Sequence, residues 1–184
     1  IDVLKKEVPT MALKRISMPL HKWFDGYTAR NTTSVTVDWT RIPEKVASAI
    51  FPYQREGIEN AIRRNGRLFF ADEMGLGKSL QSLATMAYFT TPETRQLIIC
   101  PSYLRFNWRK EIVQWLGTET ERICVVMKKT DVVNAKSGKG LDIKATPTVV
   151  ISYDLAVRVI EVLRTIRWTS IICDESHYLK NRKA

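Results

Sequence analysis

A chain of 184 residues with 45% apolar side chains holds material for one substantial core and too little for two full domains. Its 29 Lys and Arg against 19 Asp and Glu leave a net charge of +10, a balance that suits a polyanionic partner such as nucleic acid, although no block of the chain dominates it. Cys100, Cys124 and Cys173 lie in or beside apolar, β-branched runs without CxxC spacing; this argues against a disulfide framework or a structural zinc site, and for small core residues in a reducing, intracellular compartment. No apolar run approaches the ~20 residues that span a bilayer, and the opening residues lack a secretion-signal pattern.

Residues 1–45 read as an extension without assignable chemistry. Pro9, Pro19 and Pro43 punctuate it, 31–34 reads as a turn, and Val35, Val37 and Trp39 alternate with polar residues as in a half-buried strand. From Pro52 the pattern sharpens into a domain over 46–184. It predicts a helix over 53–64, a strand over 68–71 after Gly66, and a helix after Ser79 with Leu80, Leu83, Ala84, Ala87 and Tyr88 on one face. A strand over 97–100 stops at Pro101, and Leu104, Trp108, Ile112 and Trp115 mark a helix that ends near Gly117. Strands over 123–127 and 148–152 follow, then a helical stripe of Leu155, Val159, Val162, Leu163 and Ile166, and a last strand over 170–173. The densest basic segment, Lys128 and Lys129 through Lys136, Lys139 and Lys144, reads as a solvated loop.

Strands this apolar along their length, separated by helices, imply an α/β fold with a mainly parallel sheet covered on both faces. Ligands in such sheets bind beyond the carboxyl ends of the strands. Two segments fall there. The first, Asp72-Glu73-Met74-Gly75-Leu76-Gly77-Lys78-Ser79, supplies what a triphosphate needs: glycines that let backbone N–H groups approach, a lysine for the β and γ phosphates, a hydroxyl for magnesium, and a helix N-terminus behind them. The general pattern GxxxxGK[ST] places glycine where this chain has Asp72. The second, Asp174-Glu175, closes a buried strand with two carboxylates, Asp174 suited to hold the metal and Glu175 to activate water.

Four segments in order, Phe51-Pro52-Tyr53-Gln54-Arg55-Glu56-Gly57, Ala71 to Ser79, Cys100-Pro101-Ser102 and Asp174-Glu175-Ser176-His177, resemble the Q motif and motifs I, Ia and II of the Swi/Snf-type superfamily-two helicases. In that family an aspartate at the position of Asp72 is usual, and Ser79 keeps the metal-binding hydroxyl where threonine is commoner. The Ser-His ending of motif II and the following Tyr178-Leu179-Lys180-Asn181 resemble the annealing-helicase branch.

The resemblance, which covers about residues 51–184, implies a RecA-like P-loop lobe of an ATP- and magnesium-dependent motor acting on double-stranded or forked DNA in the nucleus. It implies that Gln54 reads the adenine edge, with a carboxamide able to donate and accept at once, and that His177 couples the nucleotide to the second lobe. Ser102, Tyr103, Arg105 and Asn107 lie where the family's first lobe meets the DNA backbone, which makes binding salt-dependent and sequence-independent. Motif III, the second RecA-like lobe and its arginine finger are absent from these residues, and an arginine finger contributes ~10³–10⁵ in rate. The chain alone is therefore expected to bind ATP–magnesium weakly and hardly hydrolyse it. The alternatives are an RNA helicase lobe, disfavoured by the wording of residues 72–76, and an inert nucleotide-binding scaffold, disfavoured by the presence of Lys78, Asp174 and Glu175.

Overall fold

The computed structural model describes residues 36–133, 143 and 145–180. The chain divides into two compact units, 1–36 and 37–184, and all but the last residue of the first lie outside the described residues. So does most of the basic segment between Lys128 and Lys144.

The second unit is a parallel α/β structure. Four strands, β1 (Gln96–Cys100), β2 (Ile123–Val125), β3 (Thr148–Ser152) and β4 (Ser170–Cys173), make one sheet in the order β2-β3-β1-β4 among the described residues. Every pairing is parallel, with Ile98 opposite Val150 on one side and Ile172 on the other. Parallel neighbours need crossovers. The helices in chain order are α1 (Glu44–Ala47), α2 (Pro52–Arg63), α3 (Lys78–Tyr88), α4 (Arg105–Leu116), α5 (Lys129–Val133), α6 (Tyr153–Arg158) and α7 (Ile160–Arg164), together with short 3₁₀ turns. Of these, α1 to α3 precede β1, while α4 lies in the crossover from β1 to β2, α5 in that from β2 to β3, and α6 with α7 in that from β3 to β4.

Side chains alternate across the sheet, and both faces are covered. Leu97, Val149 and Ile151 point into a cluster with Leu155, Val159, Leu163 and Ile166, whereas Ile98, Cys100 and Val150 point into a cluster with Leu83, Met86, Trp108 and Ile112. Burying a side chain of this kind is worth roughly 1.5–3 kcal/mol, so these two layers drive the fold. The stripe expected over 155–166 is broken into α6 and α7 at Val159 (φ −119°, ψ 18°), yet its apolar residues stay on one face because their spacing of three or four survives the break.

A third layer lies outside α3. Ile58 and Ile62 of α2 pack with Val37, Ile42, Val46, Ala84 and Tyr88, so residues from Val37 onward belong to this unit rather than to an extension reaching 45. The alternation at Val35, Val37 and Trp39 gives no strand among the described residues: Val37 is buried from irregular backbone, and Trp39–Arg41 is a 3₁₀ turn started by the Asp38 carboxylate, which accepts from the Thr40 N–H at 3.0 Å. Gly57 sits mid-helix where α2 meets α3 closely, since a Cβ there would run into Oε1 of Gln81. That close approach explains a glycine whose cost in a helix is about 1 kcal/mol.

The strand expected over 68–71 does not form. Residues 67–73 are irregular, and Phe69 is 71% exposed. An apolar run becomes a strand only where a neighbour accepts its backbone bonds, and here the sheet ends at β4, which is paired to β1 alone among the described residues. No helix among the described residues is long and apolar enough to cross a membrane.

Candidate nucleotide site

The direction of α3 assembles the site. Gln96, at the start of β1, donates from Nε2 to Oγ1 of Thr90 at 2.6 Å, so the end of α3 lies beside the beginning of the strand. Eleven helical residues then carry Lys78 and Ser79 about 16 Å toward the strand carboxyl ends. Asp174 lies at that same end, continuing the ladder by donating its N–H to the Ile99 carbonyl at 2.9 Å.

The loop before α3 is held from several sides. Gln54, buried in the first turn of α2, donates from Nε2 to the Leu76 carbonyl at 2.9 Å and accepts on Oε1 from the Phe51 N–H at 2.9 Å. Tyr53 adds a donated bond to the same Leu76 carbonyl at 3.3 Å. Gln81 donates to the Asp72 carboxylate at 2.6 Å, which ties the loop's aspartate to the helix it precedes. The Lys78 ammonium donates to the carbonyls of Asp72 and Glu73, both at 2.9 Å, and so lies across the loop.

Gly77, the N-cap of α3, has φ +75°, and a Cβ on it would collide with Nε2 of Gln54. Glycine is the residue that satisfies both demands. Gly75, Met74 and Glu73 line the exposed outer side of the loop, with Met74 92% exposed. No side chain caps α3, and no acidic residue stands in its first turn, so its N–H groups and partial positive charge are unscreened by the chain itself. Ser79 sits half-buried in that turn. These donors fit the phosphates of a nucleotide, with the Ser79 hydroxyl an oxygen that suits a divalent cation, and the fit rests on the bare helix end as much as on residue types.

At the other segment, the carboxylate of Asp174 accepts from the Trp108 indole Nε1 at 2.8 Å on one oxygen and from the Glu175 N–H at 2.9 Å on the other. The Asp174 carbonyl accepts from the Tyr153 hydroxyl at 2.7 Å. Burial, followed by the nearby Cys173 and Asp174, pushes the Tyr153 phenol far up, which keeps it a donor. Glu175 has a left-handed backbone, φ +50°, and its carboxylate meets Nδ1 of His177 at 3.2 Å. The Tyr153 and Tyr178 rings stack at 5.5 Å, with His177 tilted against Tyr178 at 4.7 Å.

The 3₁₀ turn Ser102–Leu104 leads into α4 and leaves Ser102, Tyr103 and Asn107 exposed, Tyr103 by 74%. Arg105 is different. Its guanidinium donates to the Ser102 carbonyl at 2.9 Å and to the Val126 carbonyl at 2.7 Å, so it braces the turn against the end of β2.

Cys100 and Cys124 are core thiols, and Cys173 is partly buried. Burial, and next the charge of Asp174, pushes Cys100 up to about 12; burial and Asp131 push Cys124 up to about 11; burial raises Cys173.

Sequence patterns missed three residues of this site: Gln81, Trp108 and Tyr153. A glutamine among the apolar positions of α3 was a usable sign of Gln81. Trp108 fits a core stripe and signals burial only, and nothing local marks Tyr153.

A family model, the SNF2-related domain, matches residues 53–184. The chain belongs to the SNF2-related family. The mouse protein "DNA annealing helicase and endonuclease ZRANB3" is 40% identical over 148 residues, covering 78% of this chain and 13% of the relative. The Xenopus tropicalis protein "SWI/SNF-related matrix-associated actin-dependent regulator of chromatin subfamily A-like protein 1" is 34% identical over 148 residues, covering 80% of this chain and 14% of the relative. Among solved structures, the Sulfolobus solfataricus SWI2/SNF2 ATPase core in complex with dsDNA matches with a TM-score of 0.61 and 25% identity, over 77% of this chain and 29% of that one. The chain thus spans about an eighth of the length of the curated relatives it matches. It is an SNF2-family helicase-like ATPase domain related to DNA annealing helicases, its fold is a RecA-like lobe, and the family implies ATP use.

Proposed function

We propose that this SNF2-related chain is the first lobe of a two-lobed, DNA-stimulated ATPase that reanneals or remodels double-stranded or forked DNA in the nucleus. The observation that carries the reading is that the uncapped N-terminus of α3 with its Lys78 and the anchored Asp174-Glu175 turn both lie toward the carboxyl ends of the strands. The annealing-helicase relative supports the choice of DNA.

In this reading the first-turn N–H groups of α3 and the loop from Glu73 to Gly77 cradle the phosphates. Lys78 leaves the carbonyls of Asp72 and Glu73 to contact the β and γ phosphates, and Ser79 and Asp174 hold magnesium. Magnesium, when bound, neutralises charge that develops on the outer phosphates. Glu175 accepts a proton from a water molecule as the water oxygen attacks the γ-phosphorus, and the bond from that phosphorus to the β–γ bridging oxygen breaks, releasing ADP and phosphate. Gln54 contacts the adenine edge while its carboxamide fixes Leu76, and His177, paired with Glu175, relays the state of the site to the second lobe. Ser102, Tyr103 and Asn107 meet the DNA backbone, with Arg105 supporting their turn.

The test is the ATPase rate of the full two-lobed protein with no nucleic acid, duplex DNA, forked DNA and RNA at one salt concentration. Stimulation by duplex or forked DNA and none by RNA is expected. Glu175→Gln should lower the stimulated rate by ~10²–10⁴ while ATP binding persists, and the chain of 184 residues alone should turn over negligibly. Equal stimulation by RNA, or turnover by the isolated chain at the full protein's rate, would sink the proposal.

A further inference from the structure

A carboxylate that holds a divalent cation through one or two oxygens must present a fixed plane, because its free lone pairs set where the cation or its water sits. Each oxygen of Asp174 already accepts one bond within the protein: Oδ2 from the Trp108 indole N–H at 2.8 Å, and Oδ1 from the N–H of Glu175 at 2.9 Å. An ionised carboxylate offers about four acceptor directions, so these two bonds leave one free on each oxygen and lock the torsion of the group.

The Glu175 N–H belongs to the same turn as Asp174 and moves with it. Trp108 does not. It is 3% exposed, one turn into α4, and its ring is packed among Leu83, Met86, Ile98, Cys100 and Ile112. It is therefore the donor that fixes the carboxylate relative to the body of the sheet. A buried indole N–H needs an acceptor, and the one it has here is the Asp174 carboxylate; a phenylalanine of similar apolar character lacks that donor.

We infer that Trp108 is a positioning residue for the metal-holding carboxylate, its indole N–H fixing the orientation in which Asp174 receives magnesium. The inference rests on the reading of Asp174 given above. Removing an outer partner of a metal ligand costs ~10–100-fold in metal affinity or activity, and the loss belongs to the metal-dependent part of nucleotide binding.

The experiment uses the full two-lobed protein and binding of a fluorescent N-methylanthraniloyl ATP, titrated in EDTA and at stepped magnesium concentrations, with thermal melting recorded alongside. The measured quantity is the magnesium-dependent gain in affinity. Trp108→Phe should reduce that gain by roughly tenfold or more and leave binding in EDTA unchanged. Ile112→Val, a core change on the same helix, should lower the melting temperature without altering the gain. Since Trp108→Phe also removes volume, a second variant carries 3-benzothienylalanine at position 108, a ring of nearly the same shape with sulfur in place of N–H, and the same loss is expected.

Retention of the full magnesium gain by a folded variant lacking the N–H, while Asp174→Asn loses it, overturns the role of Trp108 and leaves the site reading standing. If Asp174→Asn itself keeps the gain, the assignment of Asp174 to the metal fails and the role of Trp108 with it.

Discussion

Strands β1 and β4 lie side by side and obey opposite rules. β1 is paired on both edges and buried at four of its five positions, whereas β4 is paired on one edge among the described residues and is only half-buried, with Ile171 55% exposed. Yet β4 leads directly into Asp174 and Glu175, the two carboxylates of the candidate site. The strand that aims the candidate carboxylates is thus the one that packing fixes least, and the deficit is met by directed bonds on Asp174: its N–H donates to the Ile99 carbonyl, its carbonyl accepts from Tyr153 and its carboxylate accepts from Trp108. In this sheet, burial supplies stability and hydrogen bonds supply aim.

Three measurements sharpen or break that contrast. The largest effect belongs to β1: Ile98→Ala removes a fully buried side chain touched from both α3 and α4, and should cost ~2–5 kcal/mol in urea unfolding. A loss under about 1 kcal/mol would show that the centre of the sheet is not its anchor. A smaller effect concerns Cys100 and pH. Its thiol is pushed up to about 12 in the folded chain from an ordinary 9.0, so folding favours the protonated form. That contribution is whole below pH 9 and is lost as pH rises through the folded value toward 12. The urea midpoint should fall over this window more steeply in the wild type than in Cys100→Ala. The smallest effect is on β4, where Ile171→Thr keeps the β-branched shape on an exposed position and should shift stability by no more than ~0.5 kcal/mol. A larger loss would mean that the face of β4 is covered in solution.

Patterns in the chain revealed the β1, β3 and β4 runs, the helix α2 and the stripes of α3 and α4, because a strand buried on both faces and a helix with one apolar side leave direct traces in residue order. They misread Leu68 to Ala71, which has strand composition without a ladder partner, and Val37 to Trp39, where two apolar residues alternate but the Asp38 cap turns the chain. Composition reports what a segment prefers, and pairing depends on neighbours distant in sequence. The same limit applies to the site. Spacing singled out Lys78, Ser79, Asp174 and Glu175 as candidates, whereas the bonds from Trp108 and Tyr153 to Asp174 join residues 66 and 21 positions apart. Gln54 was marked by resemblance alone, and residue order gave no sign that it is buried with its carboxamide shared between the start of α2 and the loop.

The left-handed backbone of Glu175 has a consequence for how sequence change is tolerated here. At φ +50° a side chain is held against a penalty of roughly 1–2 kcal/mol that glycine would escape. Stability alone would therefore favour glycine at this turn, and the proton-accepting role proposed for Glu175 opposes it. The position is a standing conflict between thermodynamic ease and chemistry. Its resolution in favour of glutamate leaves a small reserve of strain in the turn that joins the sheet to His177 and Tyr178.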